Sequence, residues 1–340
     1  MPSAIDAVYP PEVWARESLM VLQNHNVMAP LVHRNFDQEV AQFGDMVRTR
    51  RPEVFAVADL ANDVVGGLVE GTNATTPISG SMTVNAATAT NVSITLDKHK
   101  HVAFGITSKD QATSIKNLVE EFMEPAMIPL AQEVDSDLLK ALTGWQTANS
   151  SKSNYYVPSE VDINSNFDAA GLAGVQKQLL DQKVPFAPIS GQSRVSMVLN
   201  TDHHSEIIRD QSVIGADTSG LNPPPIRTGF VATLFGMNVY IDQLLSDAAT
   251  YGNSTGGTAK AQSVAFHKNA VALVTRPLES VGGDYGVRSA TMTKDGIGLR
   301  VMMSYEHRYA QHLVSCDLLY GVGMLDNGLA TRIVDTATST

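Results

Sequence analysis

From Lys109 to Leu142 an apolar stripe keeps helical spacing for about 34 residues and passes through two prolines, Pro125 and Pro129. Ile115, Leu118, Val119, Phe122, Ala126, Leu130, Val134 and Leu138 form the stripe, and Ser108 with Gln111 fits a capping box that starts it. Such a helix would be roughly 50 Å long at 1.5 Å per residue, whereas globular helices average about 11 to 12 residues. Each interior proline costs about 3 kcal/mol, because it removes a backbone hydrogen bond and crowds the preceding turn. Burial of the stripe has to offset two of them, at roughly 1.5 to 3 kcal/mol for each Leu, Met or Phe side chain. The expectation is a long curved strut that bends at Pro125 and Pro129. Glu120, Glu121, Glu124, Glu133, Asp135 and Asp137 would lie along its solvated side.

A second constraint lies upstream. Residues 71–96 run for 26 positions without a charged or aromatic residue and are rich in Thr, Ala and Ser. A disordered linker of that length is usually richer in charge or in Gly, Ser and Pro; a Thr/Ser-rich interdomain linker is the competing reading. Val92, Ile94 and Leu96 alternate, so a two-stranded ribbon is expected, its tip around Pro77 to Ser81. Such a ribbon is not stable alone in water. It needs a surface to lie on, and the rest of the chain offers no obvious partner of matching length.

Composition narrows what these elements belong to. The 340 residues suffice for a sizeable core. A net charge of -11 argues against a dedicated nucleic-acid binder, since phosphate neutralisation needs a surplus of Lys and Arg. The single cysteine, Cys316, excludes an internal disulfide framework, and its apolar surroundings HLVSCDLLYGV predict a buried, inert thiol. No basic segment followed by an apolar one opens the chain, and no run is long enough to span a bilayer. A soluble protein of a reducing cytoplasm is expected.

Around the strut the chain reads as mixed α and β. Residues 11–28 form an amphipathic helix, isolated at the chain start, with Val13, Trp14, Leu19, Met20 and Leu22 available to one side. Residues 44–60 alternate as a strand that puts Arg48 and Arg50 on one face, with Arg51 beside them. A helix near 168–183 stops before Pro185, RVSMVLN is a strand, and TDHHSEIIRD is a short helix capped by Thr201 or Asp202. Strands follow in GFVATLFGMNVYIDQ and SVAFHKNAVALVTRPLE. Two long alternating runs joined near Glu306 to Tyr309 close the chain and look like the sheet on which the strut packs.

No local motif carries chemistry. His203 and His204 sit beside Asp202 and Glu206, but adjacent histidines point to different sides of a helix and no second ligand group has a recognisable spacing. KHKH, Lys98 to His101, puts its lysines on one strand face and its histidines on the other. YGNSTGGTAK misses the phosphate-loop spacing, and GGDYG and DGIGLR match turns rather than a dinucleotide fingerprint. Probability therefore shifts from an enzyme toward a structural or interaction protein.

In this order the features resemble the major capsid (coat) proteins of tailed phages with the Hong Kong 97-type fold, shared with herpesvirus capsid floors and bacterial encapsulins. The resemblance covers nearly the whole chain. PEVWARESLMVLQNHNVMAPLVHR followed by GDMVRTRRP is similar to the arm and first strand of the podovirus-type branch. TSKDQATSIKNLVEEFMEPAMIPLAQEVDSDLL is similar to its spine helix, prolines included, and GFVATLFGMNVYID with AFHKNAVALVTRPLE to its axial-domain strands.

That resemblance implies an α+β chain with an N-terminal arm (1–43), an extended β loop with flanking strands (44–107), the spine helix of a peripheral domain (108–143), an axial α/β domain (144–288) and returning peripheral strands with a C-terminal tail (289–340). It implies a virion subunit, assembled in the host bacterial cytoplasm into pentamers and hexamers of an icosahedral shell around double-stranded DNA. No enzyme activity, cofactor, metal or membrane contact is implied. The partners would be further copies of the chain, a scaffolding protein, a portal protein and a decoration protein outside. The scaffold would be separate, because the arm begins almost at Met1.

Subunit contacts are expected at Trp14, Arg48, Arg50, Arg51, Pro77, Lys98 and Lys100. Some relatives cross-link a loop lysine to a neighbour's asparagine; here the first lysine is Lys98, at the loop's base, so a non-covalent shell is expected. The segment 108–143 holds 3 basic and 7 acidic residues, and an inner lining of that sign would not hold DNA. Two rivals stand beside this reading: an encapsulin shell around cargo enzymes, and a cytoplasmic α/β enzyme using His203 and His204.

Overall fold

Strand β12 (Gln311–Met324), 14 residues long, bonds different parts of its length to three other strands, all antiparallel. Its first part lies between β11 (Ile297–Glu306) and β3 (Lys98–Thr107), its last part pairs with β9 (Val271–Arg276), and β10 (Val287–Lys294) extends the sheet beyond β11. Asp295 and Gly296, both at positive φ, make the two-residue turn between β10 and β11 that DGIGLR predicts. The computed structural model describes residues 11–34, 46–51, 90–113, 118–143, 160–163, 167–186, 194–210, 233–246, 262–280 and 287–334.

One face of this first sheet carries Ile106, Leu299, Val301, Val314, Cys316, Leu318 and Tyr320, all buried. Helices α1 (Pro11–His25) and α3 (Leu118–Thr143) cover it; a short α2 (Ser108–Thr113) precedes α3. The expected strut is thus α2 and α3, with residues 114–117 outside the described set. Helix α1 is not isolated. It packs against α3, β10 and β11 through Trp14, Ala15, Ser18, Leu19 and Leu22, while Val13 and Met20 face outward. Its apolar stripe is one helical arc, and only one arc can reach a sheet.

The second sheet runs in the order β4 (Glu160–Asp162), β13 (Ala330–Val334), β8 (Gln262–His267), β5 (Val195–Leu199), β7 (Met237–Ile241), β6 (Thr233–Leu234). Its pairs β13–β4 and β5–β7 are parallel and the others antiparallel. Every residue of β5 is buried, because the sheet is covered on both faces. Val195, Met197 and Leu199 meet α4 (Ala169–Asp181) and α5 (Thr201–Arg209), whereas Val198, Val264 and Phe266 belong to the core that α3 enters. The cap of α5 is Asn200, not Thr201 or Asp202: its side chain accepts from His203 N. The two sheets exchange strands. β9 follows β8 by one turn yet joins the first sheet, and β13 follows β12 yet joins the second.

Residues 48–93 form a separate compact unit, of which 48–51 and 90–93 are described. They belong to β1 (Met46–Arg51) and β2 (Thr90–Thr95), which pair with each other. NVSIT is thus a strand as expected, paired with 46–51, and the rest of the expected ribbon, with its tip at Pro77 to Ser81, lies outside the described residues.

Candidate functional site

Helix α3 continues unbroken through both prolines. Glu121, Pro125 and Pro129, four apart, are all exposed. The missing proline N–H groups leave the carbonyls of Glu121 and Pro125 without helical partners, on the side where water can take them. The buried line is Met123, Met127, Leu130, Val134 and Leu138. Phe122, expected in the stripe, is instead 46% exposed, with its ring 6.2 Å from that of Phe104. Met123 takes the inward place and meets the Cys316 thiol at 3.7 Å. Burial pushes that thiol up to about 12, which makes it the inert group expected.

The acidic side of α3 is only partly solvated. Asp135 and Asp137 are buried, contrary to expectation, because distant segments supply partners for both. Lys98 Nζ lies 3.2 Å from Asp137 and Lys100 Nζ lies 2.7 Å from Glu133. Two strand residues advance about 6.7 Å and four helical residues about 6 Å, so the two spacings match rung by rung. The buried Tyr320 hydroxyl donates to Asp137 Oδ2 at 2.7 Å, and Lys140 approaches Oδ1 at 3.9 Å. Burial and the neighbouring carboxylate push the Tyr320 hydroxyl far up, so it stays a donor. The hydrogen bond to Glu133 raises Lys100.

Asp135 does a different task. Its carboxylate accepts from Val27 N at 2.7 Å and Met28 N at 3.0 Å, tying the chain after α1 to the middle of α3. Burial is the main cause that raises it to about 7; the field of Asp242 adds to the rise and the backbone N–H groups oppose it.

No family model matches the sequence, and no curated protein sequence matches it. Solved structures do. The cyanophage Pam1 capsid asymmetric unit aligns with a TM-score of 0.60 at 12% identity, over 90% of this chain and 91% of that one. A structure from Mycobacterium phage Che8 gives 0.59 at 16% identity, over 92% of each chain, and the capsid structure of cyanophage P-SCSP1u gives 0.54 at 15%, over 87% and 85%. The chain has the fold of phage capsid proteins.

Within this capsid-type fold the rival catalytic cluster does not converge. His203 is buried, its Nδ1 2.7 Å from Ser263 Oγ and its ring 5.2 Å from Phe167. Glu206 accepts from Phe167 N, and Asp202 is exposed. Among the described residues, no three His, Cys, Asp or Glu side chains are grouped to hold a metal. No described helix is long and apolar enough to cross a membrane.

The residues expected at subunit contacts scatter. Trp14 is buried in the core of its own chain, Lys98 and Lys100 form the ion pairs above, and Arg48 is exposed. Pro77 and the side chains of Arg50 and Arg51 lie outside the described set. Asp135, Tyr320 and Asp242 were not singled out as sites, because their partners are far away in the chain and no local pattern marks them.

Proposed function

We propose that this chain is the major coat subunit of a phage capsid. The observation that carries the reading is the likeness to capsid structures over about nine-tenths of both chains. In this reading the fold is of the Hong Kong 97 type and the podovirus-like branch. Subunits gather as pentamers and hexamers into a non-covalent icosahedral shell around double-stranded DNA, in the bacterial cytoplasm, with a separate scaffolding protein, a portal and an outer decoration protein as partners. The shell then needs no active site: the coat works by assembly.

Two features support that role. The exposed Glu121 and Glu124 give α3 an acidic outer edge that packaged DNA would not adhere to. Pro125 and Pro129 thin the hydrogen-bond ladder on that same edge, which makes them the places where the helix yields if the subunit changes shape. The test is electron microscopy of the purified full chain, alone and with its scaffolding protein. Capsid-sized particles or capsomers are expected. A compact monomer under every such condition would overturn the reading.

A further inference from the structure

At one end of the second sheet three neighbouring strands finish on buried polar side chains. Asn200 follows β5, Asp242 follows β7 on one side of it, and Gln262 opens β8 on the other. Asp242 N donates to Leu199 O, and Asn200 N donates to Ser263 Oγ, so the three backbones are locked side by side. Their exposures are 0% for Asn200, 5% for Asp242 and 1% for Gln262. Each nevertheless has one polar atom without a partner among the described residues: Asn200 Nδ2, Asp242 Oδ2 and Gln262 Oε1.

The pattern is a donor flanked by an acceptor on either side. Asn200 Oδ1 is committed to His203 N, which fixes the amide orientation and leaves Nδ2 as the donor. Adjacent strands are about 4.8 Å apart, so side chains at their ends are neighbours. None of the three bonds another directly. Buried polar groups at neighbouring strand ends that do not bond one another are a setting in which an internal water makes its bonds.

We propose that a water molecule is a structural part of this core, bound by Asp242 Oδ2, Asn200 Nδ2 and Gln262 Oε1. Asp242 and Gln262 share strand parity with Tyr240 and Val264, whose side chains belong to the core that α3 enters. The water therefore sits on the side of Asp135, whose carboxylate the field of Asp242 reaches. A metal cation fits less well, because the amide N–H of Asn200 would face it. Among the described residues, no lysine, arginine or histidine contributes to the field at either carboxylate. The polar chamber thus joins the segment after α1, the middle of α3 and the end of the second sheet. It does not depend on the proposed coat role.

The test is a structure of the full chain, free or assembled, at a resolution that places ordered solvent. A peak about 2.7 to 3.2 Å from Asp242 Oδ2 and within reach of Asn200 Nδ2 or Gln262 Oε1 is expected. Direct side-chain bonds among the three, no peak, or oxygen distances of a metal ion near about 2.0 to 2.4 Å would each overturn the proposal. A second measurement follows the Asp135 carboxyl by carbon-13 NMR against pH in the native chain and in Asp242→Asn. The midpoint is expected to fall in the variant, which loses the neighbouring charge; an unchanged midpoint would show that the two acids do not share a chamber.

Discussion

The Lys98 ammonium lies 3.2 Å from the Asp137 carboxylate, on the oxygen that also accepts the Tyr320 hydroxyl at 2.7 Å. Edge strand β3, helix α3 and central strand β12 are thereby pinned at one point. Asp137 is 7% exposed, whereas Glu133 in the next rung is 40% exposed.

That contrast separates two variants. Lys98→Met leaves a buried carboxylate with Lys140 at 3.9 Å as its nearest remaining cation. Removing one partner of a fully buried pair costs about 3 to 5 kcal/mol, and the partial exposure of Lys98 lowers this to about 1 to 3 kcal/mol. Lys100→Met breaks a half-exposed pair and should cost under about 1 kcal/mol. Urea denaturation of the full chain should rank them so; equal midpoints would mean that Asp137 does not depend on Lys98.

Gly321 of β12 lies against the end of β2 and the residue that follows it. A Cβ there would stand 2.2 Å from the Thr95 carbonyl oxygen, which is backbone and cannot rotate away. Gly321→Ala should therefore destabilise by about 1 to 3 kcal/mol or more, as overpacked cores do. Gly323→Ala meets the Ile94 side chain at 2.6 Å, which can shift, and should cost less. Thermal unfolding of the two variants would compare them, and a Gly321→Ala chain as stable as the native one would rule the contact out.

Pro125→Ala and Pro129→Ala should each raise the stability of the subunit. Proline is about 3 kcal/mol worse than alanine inside a helix, partly compensated by the roughly 0.4 to 1 kcal/mol it takes from the unfolded chain's freedom. Both sites are exposed, so alanine creates no clash. If the prolines are where the helix yields, the same variants should assemble or change shape less readily. A melting temperature that fails to rise would show that the missing hydrogen bonds are compensated elsewhere; normal particles in electron microscopy would dismiss the yielding role.

The long helix, the hairpin of β11 and β12 and the inert Cys316 were legible because each depends on neighbours within one window of sequence. The burial of Asp135 was not, since its partners Val27 and Met28 lie 108 and 107 residues away. A carboxylate flanked by Val134 and Ser136 reads as the polar side of a helix until those distant N–H groups arrive. Helical spacing pointed to Phe122 for the apolar stripe, but the inward place went to Met123, which meets Cys316, while Phe122 lies outside near Phe104. The exchange of β9 and β13 between sheets leaves no local trace, because each strand alternates or fills in the same way wherever it pairs.

Asp135 makes the stability of the chain depend on pH in a direction opposite to that of an ordinary paired carboxylate. Burial raises it from 3.8 to about 7 in the folded chain. Between those values the folded state keeps a proton that the unfolded state has released, so stability falls as pH climbs from about 4 toward 7 and then levels off. The span corresponds to a loss on the order of a few kcal/mol. Asp135→Asn removes the titrating group and leaves one oxygen for the N–H groups of Val27 and Met28, a constant cost of about 1 kcal/mol. The variant should be less stable than the native chain at pH 4, and the gap should close or reverse by pH 8. Denaturation midpoints across that range would check it; a gap that stays constant would mean that Asp135 ionises in the folded chain as it does in the unfolded one.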